Sequence, residues 1–212
     1  MPDETTKKAD NTSAVIRPWP LLASKILNAF PIYTLRQDTR RSPRTGKDHD
    51  FLVLDSKDWI NVVPVTPAGN LVLIRQFRHG TASLVWEIPG GMMDEEDKSP
   101  EQAAQRELLE ETGYVPEAMA FLGAVHPNPA IQNNRCHTFL ARNVRPRHTQ
   151  RLDGSEDIEV QEAPWSEVSR MVDEGEISHS LVLAALFWYE RHLMNLPPPP
   201  LNESLDNGTK TS

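Results

Sequence analysis

Cysteine is nearly absent from this 212-residue chain: Cys136 stands alone, which excludes a disulfide framework and a cysteine zinc cluster. Long apolar runs are missing as well. The longest, Leu181 to Tyr189, holds nine residues, against the roughly 20 that a membrane-crossing helix needs. Residues 1–13 are polar and acid-containing, so no secretory leader is expected there. The seven histidines include no His-Glu-x-x-His pair, and neither a Walker-A loop nor G-x-G-x-x-G occurs. Zinc-peptidase and common nucleotide-loop chemistries therefore drop out. The expectation that remains is a cytoplasmic protein without a membrane partner.

Charge is present and unevenly spread. The net charge is −8, yet residues 87–111 carry nine acids against Lys98 and Arg106, while residues 1–50 hold nine Lys/Arg and six Asp/Glu. So acidic a stretch repels a phosphate backbone, which argues against nucleic acid as a partner. Divalent-metal binding and a solvated acidic face both remain open.

Apolar patterning is weak in residues 1–15 and again from 196, where Pro197 to Pro200 precedes a polar run; both are expected to be disordered tails. Between them, residues 16–56 read as an N-terminal β annex and 57–195 as the main domain. Strands are expected over Ser24 to Leu35 and Asp50 to Asp55, around a basic turn from Arg40 to Lys47. Further strands are expected over Trp59–Val65, Leu71–Phe77, Val85–Ile88, Phe121–Val125, Cys136–Arg142 and Ile158–Val160. Ser99 as N-cap, Pro100 at the first helical position, Gln102 closing a capping box and Gly113 as terminator predict a helix over Pro100–Thr112. Two more helices are expected at 166–174 and about 178–194. Hairpins dominate, which implies an α/β fold with a mixed sheet and helices packed on it.

The chemistry is concentrated on the first helix. Glu107, Glu110 and Glu111 stand at i, i+3 and i+4, within one sector of its surface, and Arg106 borders them. Like charges so arranged destabilise a bare helix, but they suit a hard cation such as Mg²⁺ or Mn²⁺, which takes oxygen ligands and keeps positions open for phosphates. The Gly90-Gly91 turn before the helix lets backbone approach a ligand closely. A merely solvated acidic helix is the competing reading.

The stretch GMMDEEDKSPEQAAQRELLEETGY resembles the Nudix box, G-x5-E-x7-R-E-U-x-E-E-x-G-U with U aliphatic or aromatic. Arg106 to Tyr114 matches without gaps. The first half is one residue longer than the pattern, so its early glutamate slot falls on Asp97 counted forward or Lys98 counted back. Asp58–Val63, Arg75–Arg78, Trp86–Gly91 and Glu156–Val160 are similar to the ADP-ribose pyrophosphatase branch. The resemblance implies a Nudix α/β/α sandwich with a mixed sheet plus a small N-terminal antiparallel annex. It also implies metal-dependent hydrolysis of a nucleoside diphosphate sugar, ADP-ribose first and GDP-mannose as the rival, by a homodimer. A non-catalytic nucleotide-sensing module of the same fold is the rival of another class.

The same resemblance assigns roles. Gly90, through its carbonyl, Glu107, Glu110 and Glu111 would hold Mg²⁺, with Mn²⁺ as substitute. Arg106 would position the glutamates, and Glu110 would also orient water. Glu156, with Glu159 second, would act as general base. Arg75, Arg78, Glu87, Met92, Asn128 and Gln132 are candidate substrate contacts. For these six, ordinary structural roles are an open alternative: a strand-end arginine, an Arg–Glu pair, core packing or a turn.

Overall fold

The computed structural model describes residues 16–199; the tails expected at 1–15 and 200–212 lie outside the described residues. Residues 196–199 carry no regular structure. Three strands open the chain, β1 (Leu21–Ala29), β2 (Thr34–Arg41) and β3 (Asp48–Asp55), paired antiparallel in that order. This corrects the single strand expected over 24–35. Pro31 breaks it, since proline offers no ladder donor, and Phe30 N–H closes the turn on the Tyr33 carbonyl at 2.9 Å. The basic turn is likewise shorter than expected, because Arg40 and Arg41 belong to β2.

The main sheet has seven strands. Its path runs β12 (Ile158–Pro164), β5 (Asn70–Arg78), β4 (Trp59–Val65), β10 (Cys136–Arg142) and β9 (Ala118–Val125). The β10–β4 pair is parallel and the rest antiparallel, so the sheet is mixed, as the pattern predicts. Strands β4 and β5 pair only at Val65↔Leu71. Beyond that point β6 (Ser83–Glu87) takes up β5 and β7 (Gly90–Met92) takes up β4. The sheet thus splits, and the Ile88-Pro89-Gly90 link lies in the split, held by Val62 N–H on the Pro89 carbonyl at 2.8 Å. A two-stranded ribbon, β8 (Tyr114–Val115) with β11 (Arg145–Pro146), completes the strands among the described residues.

Strand alternation sorts the core into two layers. Ile60, Val62 and Val72 pack with Ala103, Ala104 and Leu108 of α1 (Pro100–Thr112) on one face. Val63, Leu71 and Leu73 pack on the other face with Val168 and Met171 of α2 (Trp165–Asp173) and Val182, Ala185 and Leu186 of α3 (Ser180–Leu193). The result is the three-layer α/β/α sandwich. Helix α1 has the expected bounds because its ends are locally encoded. Ser99 Oγ accepts from Gln102 N–H, and Gly113 at φ 74° turns the chain out of the helix. The capping box is displaced by one residue, for the Gln102 side chain accepts from Lys98 N–H at 3.1 Å rather than from Ser99.

Candidate active site

The split in the sheet lays the Gly90-Gly91 turn against the carboxylate sector of α1. Gly90 N–H donates to Glu111 Oε2 at 2.8 Å. A Cβ on Gly91 would stand 2.4 Å from Glu107 Oε1, and one on Gly90 would stand 2.4 Å from the Ile60 carbonyl. Only glycine permits that approach at either position. Glu111 is 3% exposed.

Arg106 is the organising cation. Its Nε and Nη2 donate to the two oxygens of Asp97 at 3.2 and 2.8 Å, and Nη1 donates to Glu107 Oε1 at 2.9 Å and Glu110 Oε2 at 3.1 Å. Nη2 also reaches the Met92 carbonyl at 3.2 Å. The forked contact to Asp97 pushes the Arg106 pKa further above its ordinary value and holds the Asp97 carboxyl below the usual range. The inserted residue is thereby absorbed in the loop, and it is Asp97, the forward-counted position, that faces Arg106. Sequence spacing alone leaves this open between Asp97 and Lys98; the fold brings the Asp97 carboxylate into the arginine fork.

One guanidinium does not neutralise this site. Loss of hydration on burial pushes the Glu107 carboxyl up to about 7 and Glu111 up to about 9, the second beside Glu107 and Glu156, which the Gly90 N–H and the Arg78 charge offset only in part. Glu156 makes its own electrostatic contribution at Glu107, Glu111 and Arg78, so it lies on the α1 side of the sheet. Its carboxylate accepts from Asp153 N–H at 3.0 Å in the loop before β12. Glu159 faces the other way, 3.9 Å from Arg75.

The remaining candidates divide. Arg75 and Arg78 are three residues apart on β5, which places them on opposite faces. Arg75 lies over the Trp86 ring at 5.4 Å on the α2/α3 side. Arg78 is on the α1 side, its Nε and Nη2 donating to Glu87 at 2.6 and 2.7 Å. That fork engages both oxygens of Glu87 and raises the Arg78 pKa. Met92 enters the site through its carbonyl on Arg106. Asn128 and Gln132 sit in a loop whose amides face the annex. Gln132 bridges Leu54, Asn133 Nδ2 donates to Asp55 Oδ1 at 2.6 Å and Asn134 Nδ2 to the Lys57 carbonyl at 3.2 Å. Asn128 accepts through its backbone carbonyl from Ile131 and Gln132 N–H. This loop ties the annex to the main sheet.

The model of the NUDIX domain matches residues 57–186. The chain belongs to the Nudix family. Hydrolases of this family generally need divalent metal ions. An ADP-ribose pyrophosphatase of Bacillus subtilis is 32% identical to this Nudix chain over 119 residues, 56% of this chain and 64% of that protein, so a little under two thirds of the relative is matched. A GDP-mannose pyrophosphatase of Escherichia coli K12 is 28% identical over 187 residues, 82% of this chain and 97% of that protein. A crystal structure of an ADP compounds hydrolase superposes with a TM-score of 0.76 at 19% identity, over 86% of this Nudix chain and 98% of its own; that likeness shows the fold. No helix among the described residues is long and apolar enough to cross a membrane.

Among the described residues, no three His, Cys, Asp or Glu side chains form a ready-made metal cage. Arg106 draws Glu107 and Glu110 to itself, and Glu111 is held by Gly90. The donor set nevertheless fits a hard divalent cation: it is all oxygen, and two of its carboxylates lose more hydration than Arg106 can offset.

Proposed function

We propose that this protein hydrolyses the pyrophosphate bridge of a nucleoside diphosphate sugar, with ADP-ribose favoured, to a nucleoside monophosphate and a sugar phosphate. The observation that carries the reading is the pair of poorly hydrated carboxylates, half-buried Glu107 and buried Glu111, set against the glycine turn with Glu156 on the same side. Mg²⁺, or Mn²⁺ in its place, held by Glu107, Glu110, Glu111 and the Gly90 backbone, would offset the substrate's charge and lower the pKa of water.

The chain's own residues do the rest. Arg106, anchored by Asp97, fixes the rotamers of Glu107 and Glu110. Glu156, in the loop before β12, accepts the proton of the attacking water as its oxygen bonds one phosphorus; the P–O bond to the bridging oxygen breaks, and that oxygen leaves with the other phosphate. Arg78, oriented by Glu87, presents cationic charge on the substrate side. Met92, Asn128 and Gln132 stay candidates for the sugar end, and Arg75 serves better as a stacking partner of Trp86.

The Escherichia coli relative, matched over nearly its whole length, favours GDP-mannose as the second substrate to try. Exposed apolar side chains on the annex, including Ile26, Phe51 and Leu52, support a homodimer through that sheet; sedimentation as a monomer at micromolar concentration would count against it. The deciding assay is phosphate release through a coupled phosphatase from ADP-ribose, GDP-mannose, UDP-glucose and dGTP, with Mg²⁺ and with chelator. Metal-dependent turnover of a sugar nucleotide is the expected result. Binding without turnover would instead indicate a sensing module.

A further inference from the structure

We propose that a cavity at the C-terminal end of α3 is a second anion site, separate from the carboxylate site, that takes a phosphomonoester carried on a flat apolar group. The cavity has a volume of about 220 Å³ and is lined by Arg142, Arg191, His192, Trp188, Phe121 and Leu196, among others. It belongs to the opposite half of the molecule from the glycine turn. Helix α3 packs on the sheet face away from α1, and Arg142 pairs with Val65 at one end of β4 while Gly90 pairs with Asn61 toward the other.

Its lining is basic and carries no acid. Arg142 Nη2 stands 3.3 Å from His192 Nε2, and the Arg191 guanidinium lies over the Phe187 ring at 5.8 Å. Arg191 Nε and Trp188 Nε1 are buried with no hydrogen-bond partner. Among the described residues no carboxylate pairs with any of these side chains, and the nearby Glu117 is engaged by Asn143 at 2.8 Å and Arg145 at 3.9 Å. Arg142, Arg191 and His192 share one lining, and a dianion with three acceptor oxygens meets several such donors at once.

Basic residues near a helix C-terminus commonly serve its free carbonyls, but here backbone already does so. Met194, Asn195 and Leu196 N–H groups reach the carbonyls of Glu190, His192 and Arg191 at 3.1, 2.9 and 3.0 Å. Asn195, at φ 56°, reverses the chain so that Leu196, Pro197 and Pro198 fold back as the apolar wall. Prolines bring no N–H to compete for the anion. The volume exceeds what one oxyanion fills, and aromatic and proline surfaces line the remainder, which selects a planar apolar body.

The test uses the full chain labelled with ¹⁵N at its tryptophan indoles, Trp188 being assigned from Trp188→Phe. Phenyl phosphate is the probe and benzoate the control. A saturable shift of the Trp188 indole resonance with phenyl phosphate is expected, at least tenfold weaker with benzoate. Arg142→Gln and Arg191→Gln should each raise the dissociation constant at least tenfold while the other four indole signals stay in place and report an intact fold. Absence of a saturable Trp188 shift at millimolar phenyl phosphate overturns the proposal. So does equal binding of benzoate, or an affinity that neither arginine variant changes. The readout is independent of turnover, so it stands or falls apart from the hydrolase reading.

Discussion

Arg106 on α1 and Arg170 on α2 have much the same local chemistry and opposite settings. Each is a helical arginine surrounded by carboxylates at short sequence spacing. Arg170 donates to Glu167 at 2.6 Å, to Glu176 at 2.9 Å and to Glu174, and all four side chains are about half exposed. There the arginine fork draws the Glu167 carboxyl down. Around Arg106 the Asp97 carboxylate is 3% exposed, and burial drives Glu107 and Glu111 upward instead. Water does the neutralising around Arg170, whereas in the α1 cluster it is largely excluded and the charge is left for a cation to offset. Acidic spacing on a helix therefore does not by itself mark a site; the loss of solvent over it does.

The sharpest way to break this contrast is to remove the least compensated charge. Glu111→Gln keeps the shape and is expected to lower turnover about 1,000-fold with an unchanged circular dichroism spectrum; wild-type rates would mean that the metal site is elsewhere. Glu156→Gln should cost about 100-fold in kcat, and the matching change at Glu159 little, which separates the two acids of that segment. Next comes the anchor. Arg106→Met leaves the Asp97 carboxylate without its cation and should destabilise the fold by about 3 kcal/mol, measured by urea titration, whereas Arg170→Met should leave the midpoint where it was.

A further test concerns pH. A carboxyl whose folded pKa is raised favours the folded state while protonated, so its contribution is complete below the unfolded value of about 4.3 and is lost as pH rises. For Glu107 and Glu111 the loss extends to about 7 and about 9 respectively. The metal-free protein should thus lose melting temperature between pH 5 and 9, and added Mg²⁺ should raise Tm more at pH 8.5 than at 5.5. A metal increment independent of pH would sever the link between these carboxylates and the ion. No such increment is expected from the Arg170 cluster.

Some of this was legible in the chain and some was not, for reasons that can be assigned. Helix α1 was readable to the residue because Ser99, Pro100 and Gly113 act within a few positions of where they stand. Strand β4 was readable because its apolar run is buried on both faces. The β1–β2 turn was missed although Pro31 announced it. Arg75 and Arg78 stand together among the substrate contacts expected from sequence, although the two-residue period of a strand places residues three apart on opposite faces. The amide-rich loop could not be read, because Asn133 and Asn134 find their partners in residues 55–57, far away in sequence.

The sequence by itself determined the carboxylate sector and its helix, since both depend on interactions within about one turn. Only the tertiary structure decided that Asp97 rather than Lys98 meets Arg106, that Glu156 rather than Glu159 shares the side of Glu111, and that Glu107 and Glu111 lose their water while Glu167 keeps it. Spacing along the chain sets which side chains share a face. Which faces are closed to solvent depends on how β4 and β5 part and what fills the gap, and no local rule contains that.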